Sequence, residues 1–119
     1  MLKPGEFRRV YAEGDRIKGR FMTAFYMPSE TSFQRLGITA SRKAVGNAVR
    51  RNRAKRLLRE AFRQSKPELQ TLETKFDWVL NARDSLIGVK IAEPLSELKD
   101  IIRQVRERES KTKEGGKNV

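Results

Sequence analysis

Half of the fourteen residues in RRNRAKRLLREAFR, positions 50 to 63, are Arg or Lys, and the only acid among them is Glu60. Like charges three or four residues apart on a helix repel one another, so a helix that merely covered a core would mix signs on its wet side. The chemistry such a run can perform is the binding of a polyanion. Asn52, Arg56, Arg59 and Arg63 recur at steps of four, three and four, which lines them up along one side of a helix. Arg guanidinium forks match phosphate oxygens two at a time. Asn52 adds an uncharged donor and acceptor that can address a base edge or a ribose hydroxyl. On the other side Ala54, Leu57, Leu58, Ala61 and Phe62 form an apolar arc that needs a sheet to pack on. Arg42, Lys43, Arg50 and Arg51 carry the positive charge back through the preceding turn. A helix start favours anions, so phosphate also suits the Gly46–Asn47 turn, although a Gly-Asn pair alone is more often just a turn.

The whole chain shares this bias. It has 119 residues, with 27 Lys and Arg against 15 Asp and Glu, for a net charge of +12. That balance favours nucleic acid or an anionic membrane surface. A membrane-surface helix needs an exposed apolar face, and here the flanking strands claim that face for their core. The chain has neither His nor Cys. It therefore lacks disulfides, thiolate chemistry, imidazole metal ligands and the ordinary near-neutral general base. Asp15, Asp77, Asp84 and Asp100 stand singly, with no paired-acid site and no metal-binding residue set. Without a secretory signal or an apolar span of about 20 residues, a soluble cytoplasmic protein is expected.

Aromatics form a second set, with Phe7 and Tyr11 near the start and Phe21, Phe25 and Tyr26 following. Most should be core, yet rings beside basic surface are how single-stranded RNA is held, with bases stacked and backbone in a positive groove. Trp78 lies in an apolar strand and reads as core.

The elements that must position these groups follow from periodicity. Residues 4 to 13 can form a short helix with Phe7, Val10 and Tyr11 on one face, stopped by Gly14. Residues 20 to 27 alternate as a strand, with Phe21, Thr23 and Phe25 on one side and Met22, Ala24 and Tyr26 on the other. Residues 28 to 32 are turn chemistry, and 33 to 41 read as the returning strand with Leu36, Ile38 and Ala40 alternating. The basic helix should run from about 48 to 65, opened by Asn47 and ended before Pro67. A strand is expected at 75 to 82, an undecided segment at 86 to 91, and a helix from Pro94 to about 108. The prediction is one α+β domain over residues 1–109, a small sandwich, with a disordered basic tail over 110–119.

The run RKAVGNAVRRNRAKRLLREAFR, Arg42 to Arg63, resembles the bacterial ribonuclease P protein subunit, whose central helix carries an Arg-Asn-Arg core followed by Lys-Arg. Here these are Arg51, Asn52, Arg53, Lys55 and Arg56. EFRRVYAEG, RLGITASRKAVGNA and FDWVLNAR are similar to the family in the right order, so the resemblance spans about Phe7 to Val105. It implies a four-stranded mixed sheet packed with helices, in the order α-β-β-(β)-α-β-α, with a left-handed crossover through the Arg-rich helix against the usual rule. It also implies a protein cofactor of a catalytic RNA that removes the 5′ leader of precursor tRNA, the RNA performing the hydrolysis with bound Mg²⁺ and the protein alone being inactive. Arg50, Arg51, Asn52, Arg53, Lys55, Arg56, Arg59 and Arg63 would then face the RNA. Phe7, Tyr11, Phe21 or Phe25, Ser41, Arg42 and Lys43 would line the leader cleft, with the strand register undecided by one residue around Ala24. The implied partners are ribonuclease P RNA and the leader, with no membrane and no obligatory protein partner. The rival classes are a ribosomal RNA-binding protein without leader preference and a metal-dependent nuclease using scattered acids.

Overall fold

A computed structural model describes the backbone of residues 2–117 and the side chains of residues 2–111. The first helix, α1 (Pro4–Glu13), starts where Pro4 supplies a preset φ and Glu6 reaches back to accept from the Lys3 amide at 2.8 Å. It ends as expected at Gly14, whose N–H donates to the Val10 carbonyl at 2.8 Å. Four strands follow the sheet order β1-β2-β4-β3: β1 (Asp15–Lys18), β2 (Met22–Pro28), β3 (Arg35–Thr39) and β4 (Phe76–Ala82). β1 pairs antiparallel with β2, β2 antiparallel with β4, and β3 parallel with β4. The chain therefore crosses over between β3 and β4, through α2 (Arg42–Val45), α3 (Ala48–Gln64) and α4 (Lys66–Gln70). This is the connection to which the expectation of a left hand refers.

The alternation of β2 and β4 divides the sheet into two faces. Met22, Ala24, Tyr26, Phe76, Trp78, Leu80 and Ala82 point into the main core, against Ala54, Leu58 and Ala61 of α3 and Leu98, Ile101, Ile102 and Val105 of the last helix, α5 (Ala92–Lys117). On the opposite face, Leu2 and Val10 pack on Val79, with Phe7, Phe25 and Met27 around them. Trp78 is fully buried, and its indole N–H donates to Gln34 Oε1 at 2.8 Å.

Where the structure differs from the sequence reading, most of the causes are local. β1 was not expected, because DRIK has a single apolar residue; Ile17 alone faces the core, and the charged remainder suits an edge strand. The returning strand begins at Arg35 rather than 33, leaving Phe33 exposed in the preceding bend. Pro67 does not simply end the basic helix but sits in the first turn of the short α4, where its missing N–H costs nothing. Segment 86–91 resolves into a 3-10 turn at Asp84–Leu86 followed by irregular chain with Gly88 at φ 75°. The backbone of α5 is helical to Lys117, through most of the stretch whose composition predicts disorder, and residues 118 and 119 lie outside the described residues.

Candidate nucleic-acid interface

The crossover holds α3 so that its two sides meet different surroundings. Ser41 Oγ accepts from the Ala44 amide at 3.1 Å to start α2, and Asn47 Oδ1 accepts from the Arg50 amide at 3.0 Å to start α3. Between them Gly46 turns the chain at φ 105°, a conformation other residues rarely adopt. Ala54, Leu58 and Ala61 are then buried, while Asn52, Arg56, Arg59 and Arg63 are all exposed on the opposite side. With a rise of about 1.5 Å per residue, this row runs for about 16 Å.

The other basic residues of the motif divide by angle. Arg50 and Arg53 are exposed, and Arg53 donates to the Val89 carbonyl at 3.2 Å, which ties it to the turn before α5. Arg51 falls within the apolar arc of the helical wheel; it is half-buried, and its Nε has no hydrogen-bond partner among the described residues. Lys55 is half-buried at the flank. Glu60 accepts from Arg63 Nε at 2.9 Å and from Gln64 Nε2 at 3.0 Å. The Arg63 bond, helped by Gln64, holds the Glu60 carboxyl down to about 2, and the same pairing raises Arg63.

The second surface is the opposite face of the sheet, beyond α1. Phe7 lies directly over Gly37 of β3, where a Cβ would come within 2.4 Å of its ring, so glycine is what lets the helix approach the strand. Tyr11 stands at the helix edge, its ring edge-on to Phe25 with centroids 4.8 Å apart. Its hydroxyl donates to Asn81 Oδ1 at 2.6 Å, and the Thr39 hydroxyl donates to the same oxygen. With both hydroxyls on Oδ1, the Asn81 amide nitrogen is the donor left for a ligand. From there a cleft of about 470 Å³ continues past Thr23 and Thr39 to Ser41 and Lys43. Lys43 is exposed at its far side, and Arg42, beside it in the chain, is exposed too.

Of the predicted leader residues, Ser41 and Lys43 line this cleft, Tyr11 meets it at Asn81 with Phe25 against its ring, and Phe7 packs between α1 and Gly37; the register falls on Phe25, with Ala24 and Tyr26 turned into the core. Phe21 does not join them. It precedes β2 and is buried in the main core, its amide held at 2.9 Å by Glu97 of α5 and its ring beneath the Arg20 guanidinium. Sequence reasoning missed Thr23, Thr39 and Asn81. The polar Asn81 within FDWVLNA was the available signal, since it shares a face with Val79 and not with Trp78 or Leu80. It also missed Arg16 and Lys18, which stand opposite Phe25 and Thr23 in the register and so on the same side of the sheet.

Among the described residues no group of three or more acidic side chains could hold a metal ion, and no helix is long and apolar enough to cross a membrane.

The chain is 42% identical over 82 residues to the ribonuclease P protein component of Coxiella burnetii, a match covering 69% of this chain and 64% of that protein. It is 32% identical over 102 residues to the Clostridium kluyveri component, covering 86% of this chain and 89% of the relative. Among solved structures it resembles the Staphylococcus aureus ribonuclease P protein with a TM-score of 0.74 at 27% identity, over 89% of this chain and 94% of that one. The Thermotoga maritima protein gives 0.72 at 27% identity, over 83% and 90%. The ribonuclease P family model matches residues 1–106, and the chain belongs to that family.

Proposed function

We propose that this chain is the protein subunit of ribonuclease P, binding the catalytic RNA along α3 and the 5′ leader of precursor tRNA in the cleft beside α1. The exposed row Asn52, Arg56, Arg59 and Arg63, opposite the buried Ala54, Leu58 and Ala61, is the observation that supports it best. Arg50 and Arg53 add exposed positive charge beside that row in the N-terminal half of the helix. Tyr11, Phe25 and Asn81 offer rings and an amide to unpaired bases, while Lys43, Arg42, Arg16 and Lys18 attract the backbone. Mg²⁺ belongs to the RNA, which performs the hydrolysis; the protein lowers the repulsion between two polyanions and so the Mg²⁺ required for substrate binding. The protein alone cleaves nothing, and its place of action is the cytoplasm.

The test is the rate of leader removal by a bacterial ribonuclease P RNA at low Mg²⁺, with and without the protein. A large protein-dependent increase is expected; no increase, together with salt-sensitive binding to other RNA, would make it a structural RNA-binding protein instead. The two faces separate by substitution. Arg56→Ala should weaken binding to the catalytic RNA, whereas Tyr11→Ala should mainly reduce the preference for precursor over mature tRNA; the reverse pattern would refute the assignment.

A further inference from the structure

The row of donors on α3 does not end in open solvent. At its C-terminal end a groove of about 560 Å³ opens between the β3 edge, α3 and α4, within the range of about 300–1,000 Å³ typical of small-molecule sites. Its apolar surface comes from Phe33, Leu36, Phe62 and Leu69, and Arg59, Arg63, Lys66 and Lys75 stand around it. Phe33 is the most exposed aromatic ring, at 64%. A lone exposed ring is ordinary, but this one borders a groove and is held in place. Thr31 Oγ1 donates to the Phe33 carbonyl at 3.1 Å, and the Thr31 amide donates to Ser29 Oγ at 3.1 Å. The next residue, Gln34, is clamped to Thr74, Phe76 and Trp78.

Charge identifies the occupant. The groove's one acid, Glu60, is neutralised by Arg63, while Arg59, Lys66 and Lys75 form no ion pair among the described residues. An apolar slot with an aromatic wall and a cationic rim suits an unpaired nucleotide, with its base against Phe33 and Phe62 and its phosphates on the rim. An apolar peptide would leave those cations without partners.

We propose that this groove captures an unstacked base of the RNA lying along α3, a base-binding site on the opposite face of the sheet from the α1 cleft. The choice of RNA rests on the subunit reading above; the shape and charge of the groove do not. Because Arg59 and Arg63 belong to both the row and the groove, the same strand can pass from one to the other without a break.

The test uses the full chain with Phe33→Trp, whose indole would report from the groove while Trp78 stays buried as background. Titration with decaadenylate should quench the added emission, and a decamer of the same length lacking bases should not. Quenching by neither, or equally by both, overturns the proposal. Phe33→Ala, at an exposed position, should keep the fold and lose about 5- to 150-fold in affinity for bacterial ribonuclease P RNA, with the salt slope unchanged because no charge is removed. Unchanged affinity, or an effect on sedimentation of the protein alone in place of RNA binding, would assign the groove to a protein contact and refute the base site. Quenching by the decamer without stimulation of leader cleavage would instead sink the subunit reading and leave the groove standing.

Discussion

Single residues on α3 differ in what they can give to a phosphate. Among the described residues Arg56 and Arg59 make no ion pair, whereas Arg63 already spends two donors on Glu60. A carboxyl held down to about 2 stays ionised throughout the physiological range, so Glu60 both occupies Arg63 and repels an approaching strand. Glu60→Gln removes the repulsion and frees the guanidinium. Its affinity for ribonuclease P RNA should rise, and the plot of log affinity against log salt should steepen by about one phosphate's worth, roughly 0.7–0.9. An unchanged slope would mean that Arg63 lies outside the bound strand. Arg51 shows the opposite situation: half-buried, with Nε lacking a partner, it is poorly placed to reach a ligand unless the helix start adjusts.

At the level of elements, the helices and the alternating strands were legible because their burial follows one period. Phe7, Val10 and Tyr11, or Trp78 and Leu80, can be assigned from spacing alone. What was not legible depends on partners distant in sequence. Nothing in DRIK predicts a strand until β2 is beside it, and nothing in RFMTAF says that Phe21 turns into the core. That outcome depends on Glu97, 75 to 77 positions away, whose carboxylate accepts from the amides of Arg20, Phe21 and Met22 at 2.7, 2.9 and 3.1 Å. Asn81 was missed for a related reason: its meaning comes from Tyr11 and Thr39, brought to it by helix and crossover. The Glu97 clamp joins α5 to the β1–β2 connection and should matter for stability. Glu97→Ala leaves three amides without their charged acceptor and should cost about 2–3 kcal/mol in urea unfolding. Glu97→Gln, which keeps a carbonyl acceptor, should cost less; equal stability of wild type and both variants would show the clamp to be idle.

Over the whole molecule, charge and topology act together. If about five phosphates are neutralised, log affinity should fall against log salt with a slope of about −3.5 to −4.5. The fold has its own pH dependence, centred on Arg35, which bonds Asp77 at 2.8 Å through two nitrogens and pairs with Glu6. Burial alone would raise Asp77, but the hydrogen bonds from Arg35 and Ser29 outweigh it and its pKa is lowered; Glu6 is lowered chiefly by the Lys3 amide. Carboxylates that release protons more readily when folded stabilise the fold fully above their unfolded values, about 4. That stabilisation is lost as the pH falls through their lowered folded values. The urea midpoint should therefore drop below about pH 4, and less steeply in Asp77→Asn. The parallel pairing of β3 with β4 bears on how the chain folds. Arg35 and Asp77 are 42 positions apart, and the β2–β4 register joins residues further apart still, Met22 with Ala82, so both pairings of β4 close long loops, while the β1–β2 hairpin is local. The β4 pairings should therefore form after the transition state, with φ-values near zero. Ile38→Val should speed unfolding and leave the folding rate nearly unchanged, so Thr39 meets Asn81 at the cleft only late in the assembly of the sheet.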